Sequence, residues 1–422
     1  MKKQSKLTFI DLFAGCGGLS EGFLQSGKFD GLAHVEWEIP MVRTLRNRLT
    51  KKWNHSQEDS LKHVIHFDIQ KTDELINGNW SDQTNSIYGN SNHEEVAQKG
   101  LKGLVGDKKV NLIIGGPPCQ AYSVAGRAQD KNSMKDDYRN YLFESFINVV
   151  DAFKPEVFVF ENVPGMLSAS PGNKMVTERV YESFSKYGYT IKKPNELKNA
   201  IQVASDFGVA QKRKRVIIIG VRNDVLSHDF SLETIYKEID NLKSDKTVSI
   251  KEVIGKLPVF IPSDKIEKIN GRNHSHKPIN TELEYNDNIW PRFHNERDIK
   301  VFKHWVSNEM NKKPMDERIS FYNKLLDKNA KHAKYRNLEW KNPSQTIVAH
   351  LYKDGLMFIH PDAKQARSIS VKEAALIQSF PDDFEFTEKM GHNYKMIGNA
   401  VPPLMAEKIA LAVFNVFKTL KA

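Results

Sequence analysis

The residue of this chain best suited to chemistry is a cysteine set directly behind a stiff turn. Gly115-Gly116-Pro117-Pro118-Cys119-Gln120 follows the apolar run at 110–114. Cys119 therefore stands just past the carboxyl end of a predicted buried strand, where ligands and reacting groups of an open α/β sheet collect. The Pro-Pro pair holds two backbone φ angles, so the thiol is presented on a rigid base. A thiolate is the strongest nucleophile among side chains. A lone cysteine is more often inert packing, but Gly-Gly and Pro-Pro flanks serve no packing purpose in a helix or strand. Residues 121–139 carry Gly, Ser, Asp and Lys with little apolar periodicity and read as a loop that closes over a substrate.

Three other strand ends carry candidate ligand groups. Phe9-Ile10-Asp11-Leu12-Phe13-Ala14-Gly15-Cys16-Gly17-Gly18 is a strand running into a Gly-rich turn at a helix start, where Gly15 and Gly17 let a ligand approach the backbone. Ser20 occupies the third glycine position of the dinucleotide pattern, which favours a smaller ligand over a pyrophosphate. Glu36 ends the second strand about twenty residues on, where a carboxylate can hold both hydroxyls of a ribose. Trp37 beside it offers a flat face for an adenine, and Asp68 at the third strand end is placed for an adenine amino group. Each has a bland reading, as a tight corner, a surface acid or a core Trp. Their agreement at three successive strand ends points to a nucleoside ligand.

The acid and the cations of the site come from later segments. Glu161-Asn162-Val163 closes the apolar strand 157–160, and a carboxyl at the rim of a buried strand suits a proton donor. Gln211-Lys212-Arg213-Lys214-Arg215 runs into the strand 216–221. Alternation puts Arg213 and Arg215 on one face, either as surface charge or as a guanidinium pair orienting Glu161 and a substrate carbonyl. Gly398-Asn399-Ala400-Val401-Pro402-Pro403, taken alone, is an ordinary lead-in to a last helix.

These groups are positioned by alternating strand-like and helix-like segments over the first 225 residues. That rhythm is the pattern of a Rossmann-like α/β fold with a mostly parallel, doubly wound sheet. The fourth strand should neighbour the first, bringing Cys119 to face the ligand over the glycine turn. Residues 75–108, rich in Asn, Gly, Ser and His, read as an inserted excursion with a short helix near 94–104. From 225 to 345 the rhythm fades into charged, irregular sequence with scattered aromatics.

The chain has 422 residues, 40% hydrophobic and 27% charged, room for two domains of a globular protein. Its uninterrupted apolar runs are too short to span a bilayer, and no signal peptide is read at the start. Two cysteines neither form a structural zinc site nor suggest a disulfide framework, so a reduced, cytoplasmic setting is expected. The formal charge is +10 with a pI near 9.2. Residues 241–341 hold 21 Lys and Arg against 14 Asp and Glu. This excess fits an anionic partner such as nucleic acid, though lysine also serves solubility.

In this order the segments resemble the DNA (cytosine-5)-methyltransferase family. The resemblance is carried by Asp11 to Gly15 with Gly17-Gly18, Glu36-Trp37, Gly116 to Gln120, Glu161-Asn162-Val163, Gln211 to Arg215, Arg367 through Phe380-Pro381-Asp382, and Gly398 to Pro402. It covers about residues 7–225 and 343–418. It implies a catalytic domain at 1–224 binding S-adenosylmethionine, a smaller irregular target-recognition domain at 225–389, and a segment at 390–422 returning to the first.

By the same matching, Phe13, Leu19, Glu36, Trp37, Asp68, Ile69, Pro118, Leu142, Asn399 and Val401 would contact the cofactor. Gln120, Ser123 and Arg127 would meet the DNA. Cys119 would add to carbon 6 of a cytosine swung out of the duplex, with Glu161 bonding ring nitrogen 3, Arg215 holding the carbonyl and Arg213 steadying Glu161.

The implied function is sequence-specific DNA methylation, in a restriction-modification or phage-defence system or as a solitary enzyme, by a monomer acting on double-stranded DNA alongside a cognate endonuclease or defence proteins. Alternatives are a transfer-RNA cytosine methyltransferase and a catalytically silent DNA-binding regulator. The resemblance assigns no role to residues 75–108, and nothing in 225–345 specifies a target sequence.

Overall fold

The computed structural model describes residues 6–118, 142–171, 174–228, 230–327, 329–332 and 334–420. Its centre is an eight-stranded sheet. Five strands, β1 (Leu7–Leu12), β2 (Phe29–Glu36), β3 (Val64–His66), β4 (Leu112–Gly115) and β5 (Val157–Asn162), are parallel and lie in the order β3-β2-β1-β4-β5. Beyond β5 the direction reverses. The short β6 (Tyr189–Thr190) and β7 (Ile201–Val203) both pair antiparallel with β8 (Lys214–Arg222), which itself runs antiparallel to β5. Every residue of β4 and β5 is buried, which is why both read as unbroken apolar runs rather than alternating ones.

The chain leaves β1 toward β2 on one side and returns on the other side at β4. That reversal opens a crevice at the carboxyl ends of β1 and β4, the place where open α/β sheets bind ligands. Helix α1 (Gly18–Gln25) leaves the glycine turn with Leu19 and Phe23 buried. The helix Leu142–Phe153 packs Leu142, Phe146, Val149 and Val150 inward and stops just before Pro155, as a residue preceding proline disfavours the helical region.

The excursion after β3 is more ordered than its sequence suggests. It forms three helices: α2 (Thr72–Asn77), α3 (Asp82–Tyr88) and α4 (Glu94–Val105). Polar residues that weaken a periodicity signal act here as caps. Ser81 Oγ accepts the Thr84 N–H at 3.3 Å, and His93 Nδ1 accepts that of Glu95 at 3.2 Å. Leu75, Ile76, Trp80, Val96 and Leu101 supply the buried side.

Two compact units are present, one comprising residues 1–208, 213–245 and 400–422, the other 209–212 and 246–399. These limits differ from the expected 224/225 and 389/390 boundaries. The helix Leu232–Asn241 stays with the sheet because the Tyr236 hydroxyl donates to Ile217 O at 3.0 Å and accepts the Ile219 N–H at 3.3 Å. The helix Met390–Asn399 belongs to the second unit, where the Tyr394 hydroxyl donates to Ile369 O at 2.7 Å.

The second unit is folded throughout much of the stretch that lacks rhythm. It contains an antiparallel ribbon of β9 (Phe260–Ile269) and β10 (Arg272–Pro278). Its apolar core gathers Val301, Phe302, Trp305, Tyr322, Tyr335 and Ile359. A buried Arg367–Glu373 pair, bidentate with both distances 2.7 Å, organises the segment before Phe380. Burial works to raise the Glu373 carboxyl, but Arg367 overrides it and holds it down to about 2. Among the described residues, one stretch is long and apolar enough to cross a membrane, Met390–Phe417. It is two helices interrupted at 400–402, and 61% of its apolar window is buried in the protein.

Candidate active site

The glycine turn after β1 is built from backbone that few residues adopt. Phe13, Gly15 and Gly17 all have positive φ, at 60°, 58° and 90°. For Phe13 this is strain, while Gly17 takes it at no steric cost. The turn is tied to Glu36, whose carboxylate accepts three backbone N–H bonds: Gly15 to Oε2 at 2.8 Å, and Trp37 and Glu38 to Oε1 at 2.9 and 2.8 Å. Burial pushes the Glu36 carboxyl up to about 7, against the pull of those three donors. Trp37 is not a core residue, since 54% of it is exposed beside the turn.

Beneath the turn lies a buried polar group that the sequence reading did not pick out. Ser20 Oγ donates to Asp11 Oδ2 and meets His34 Nδ1 at 2.8 Å, tying β1, α1 and β2 together. Ser20 thus has a use at the position where a dinucleotide site keeps glycine. Burial pushes Asp11 up to about 8 despite the Ser20 hydroxyl, and pushes His34 down to about 3. Burial thus holds the Asp11 carboxyl far above the ordinary carboxylate range. Asp in a strand-to-turn junction was the available signal, but only burial shows its state.

The other expected cofactor positions are distributed as follows. Leu19 and Ile69 are buried, and Leu142 is buried at the start of its helix. Asp68 lies two residues past β3, where its carboxylate accepts the Gln70 N–H at 3.0 Å. Pro118 is half-buried just before the segment 119–141. Val401 lies against α1, its carbonyl 2.5 Å from where a Cβ on Gly18 would sit. Asn399 falls in the second unit. Cys119, Gln120, Ser123, Arg127 and the expected closing loop lie outside the described residues.

Glu161 and its cation are described in full. The carboxylate is held by Arg215, Nε to Oε1 at 2.5 Å, with both side chains 11% exposed. Arg215, expected to hold the cytosine carbonyl, thus pairs with Glu161, and Arg213, expected to steady Glu161, also feels its charge. Glu161 pairs with Ile217 across the antiparallel β5–β8 ladder, so Arg215, two residues away on the same face, is its diagonal neighbour. Arg213 stands one residue before β8 and is fully buried, with burial and the charge of Arg215 weighing against its own charge and Glu161 favouring it. A Cβ on Gly116 would lie 2.5 Å from Glu161 Oε2. The Gly116 backbone thus runs directly over the carboxylate, three residues ahead of Cys119.

The two cysteines are not equivalent. Cys16 is 2% exposed, and burial pushes its thiol up to about 12, which leaves it without thiolate at neutral pH.

A family model described as C-5 cytosine-specific DNA methylase matches residues 7–101 and 79–415. The chain belongs to that family. The enzyme is a DNA cytosine-5 methyltransferase, and the family and fold imply use of S-adenosylmethionine. It is 33% identical to the type II methyltransferase M.Bpa9945I of Bacillus paralicheniformis, over 96% of this chain and 98% of that one. It is 29% identical to the type II methyltransferase M.DdeI of Desulfomicrobium norvegicum, over 96% and 88% of the two chains. The fold of the enzyme is similar to that of a methyltransferase encoded within an E. coli prophage, with a TM-score of 0.61 at 21% identity, covering 98% of this chain and 100% of that one.

The turn fits such a cofactor. Gly15 and Gly17 carry its left-handed backbone without a Cβ, Glu36 offers carboxylate lone pairs beside it, and Trp37 presents an exposed indole. A diol would donate to the ionised carboxylate, so binding should follow the ionised fraction of Glu36. Because its carboxyl is raised to about 7, that fraction grows as pH rises, and lowering the pH re-protonates it. S-adenosylhomocysteine should bind about tenfold more tightly at pH 8 than at pH 6. Glu36→Gln should bind it about 10- to 100-fold more weakly, with a flat pH profile over that range. Calorimetric titration at both pH values checks this, and a variant with wild-type affinity and slope would remove Glu36 from the site.

Proposed function

We propose that the enzyme methylates a specific cytosine in duplex DNA through a covalent adduct of Cys119 with carbon 6, as the modification arm of a type II restriction-modification or phage-defence system. The observation supporting the chemistry is the Glu161–Arg215 pair lying against Gly116, at the carboxyl ends of β4 and β5. A proton donor is thereby held beside the turn that leads to the nucleophile.

Carbon 5 of cytosine is a poor nucleophile, and the ring must be activated first. The Cys119 thiolate forms a bond to carbon 6 while the Glu161 carboxyl donates a proton to ring nitrogen 3, so the electron pair of the 5,6 double bond comes to rest as an enamine. Arg215 holds Glu161 with Nε, and the planar guanidinium fork suits a second bond to the cytosine carbonyl. Arg213, buried behind, adds positive charge to the same pocket. S-adenosylmethionine, when bound, supplies the electrophilic methyl group that carbon 5 takes. A water molecule acting as base then takes the carbon 5 proton, the C6–S bond breaks to release the Cys119 thiolate, and nitrogen 3 returns its proton to Glu161, restoring the aromatic ring.

The ring is reachable only once it has left the stack, at a cost of roughly a few kcal/mol offset by pocket and backbone contacts. The basic excess at 241–341 suits phosphate contacts, and base readout is assigned to the second unit. The relatives named type II methyltransferases support the restriction-modification setting, and a cognate endonuclease is the partner this setting implies.

Transfer of a labelled methyl group to duplex DNA but not to transfer RNA is the expected result. Preferential labelling of transfer RNA would overturn the substrate assignment. Mapping methylcytosine in DNA from cells expressing the chain would give the recognition sequence in the same experiment.

A further inference from the structure

The helical insertion after β3 converges on the residues read as the adenosine end of the cofactor site. Strand β3 is only three residues long and forms one edge of the sheet, so its outer backbone groups need partners from elsewhere. The Asn92 side chain supplies them. Its Oδ1 accepts the His66 N–H at 2.8 Å, and its Nδ2 donates to His66 O at 2.8 Å and to Tyr88 O at 2.9 Å. One amide thus stands in for the missing neighbouring strand.

The His66 ring carries the connection inward. Its Nδ1 meets Ser91 Oγ at 2.6 Å, and its Nε2 meets the carbonyl of Trp37 at 2.9 Å. Burial, with Arg46 nearby, lowers the imidazole below its ordinary range. The Trp37 carbonyl can only accept, so Nε2–H donates to it, while the Ser91 hydroxyl at Nδ1 also reaches the Tyr88 carbonyl at 2.9 Å. Trp37 in turn donates its N–H to Glu36, and the Phe67 N–H bonds Glu36 O at 2.9 Å.

Packing follows the same route. The Phe67 ring lies 4.7 Å from Trp80 and 5.0 Å from Tyr88, both in the insertion. Burial raises the Tyr88 phenol, which also lies close enough to Asp68 for the carboxylate to raise it. Glu36 and Trp37 are thus held, and Asp68 is approached, from one side by residues 80–92.

We propose that the 72–105 insertion is a clamp on the adenosine end of the cofactor site. Asn92 and Ser91 are positioning residues that act through His66 on Trp37 and Glu36, setting cofactor affinity and taking no part in the chemical step. The proposal rests on the reading that the nucleoside lies over Glu36 and Trp37.

The test is made on the full chain with Asn92→Ala, Ser91→Ala, Glu36→Ala and the exposed-site control Gln83→Ala. Asn92→Ala should raise the Kd for S-adenosylhomocysteine and the KM for S-adenosylmethionine together, each about tenfold. Its kcat at saturating cofactor and its Kd for duplex DNA should stay within about twofold of wild type, as should every constant of Gln83→Ala. Ser91→Ala removes only one hydroxyl and should move the same two constants in the same direction, which covers the case in which Asn92→Ala fails to fold. An unchanged Kd in a folded Asn92→Ala or Ser91→Ala protein, or a fall in kcat at constant Kd, overturns the clamp. If Glu36→Ala weakens binding while those variants do not, the clamp fails and the nucleoside reading stands. If Glu36→Ala also binds normally, the nucleoside reading itself fails.

Discussion

Cys119→Ser should lower methyl transfer to DNA by at least about 10⁴-fold while leaving S-adenosylhomocysteine binding close to wild type. A serine hydroxyl is a far weaker nucleophile than a thiolate. The adduct to carbon 6 would not form, and carbon 5 would stay unreactive. Cofactor affinity should survive because Glu36, Trp37 and the glycine turn are other parts of the chain. Single-turnover transfer of a labelled methyl group measures the loss. DNA carrying 5-fluorocytosine gives a second readout, because fluorine on carbon 5 cannot depart as the proton does. Wild-type enzyme should remain bonded to that DNA after methyl transfer and resist denaturation from it, whereas Cys119→Ser should release it. Normal turnover by the serine variant would end the covalent reading. Cys16 is no substitute, with its buried thiol pushed up to about 12.

Glu161→Gln should reduce kcat by about 10²- to 10⁴-fold, the usual contribution of a positioned general acid. An amide keeps the shape of the carboxyl but has no proton to donate to ring nitrogen 3. The substitution also leaves Arg215 and the buried Arg213 without the carboxylate that faces them. A loss of stability of about 3 kcal/mol is expected from breaking so enclosed a pair. Activity must therefore be compared below the variant's unfolding transition. Glu161→Asp retains the charge but withdraws it by one methylene, so it should recover more stability than rate. A glutamine variant that turns over at the wild-type rate would exclude Glu161 as the donor.

Much of this site was legible in the sequence because strand ends are local features. An apolar run, a glycine or proline turn and a polar residue at its tip are neighbours along the chain, and their spacing is set by short-range sterics. That is why Gly15, Gly17, Glu36 and Glu161 stand at the ends of β1, β2 and β5. The roles of Arg213 and Arg215 were not legible. Alternation places both on one face, and only the register that sets Glu161 opposite Ile217 makes Arg215 the diagonal neighbour that pairs with the carboxylate. The second unit was opaque for a different reason. Its core draws single aromatics from widely separated segments, such as Trp305 and Tyr335, so no window of sequence shows a period.

The insertion shows the same limit most clearly. Its Asn- and Ser-rich composition points to one short helix near 94–104, which is present, yet Ser81 and His93 cap helices there, and Asn92 completes the edge of the sheet. What the residues alone determined was the order of the chemical groups, the parallel sheet that carries them and the family to which the chain belongs. The tertiary structure decided that Arg215 pairs with the acid, that burial raises the Asp11 carboxyl, and that the excursion after β3 reaches back to Trp37. The division has one physical cause. Turns and strand ends are written in contacts between near neighbours, whereas burial, cross-strand register and side-chain bridges depend on residues far apart in the chain.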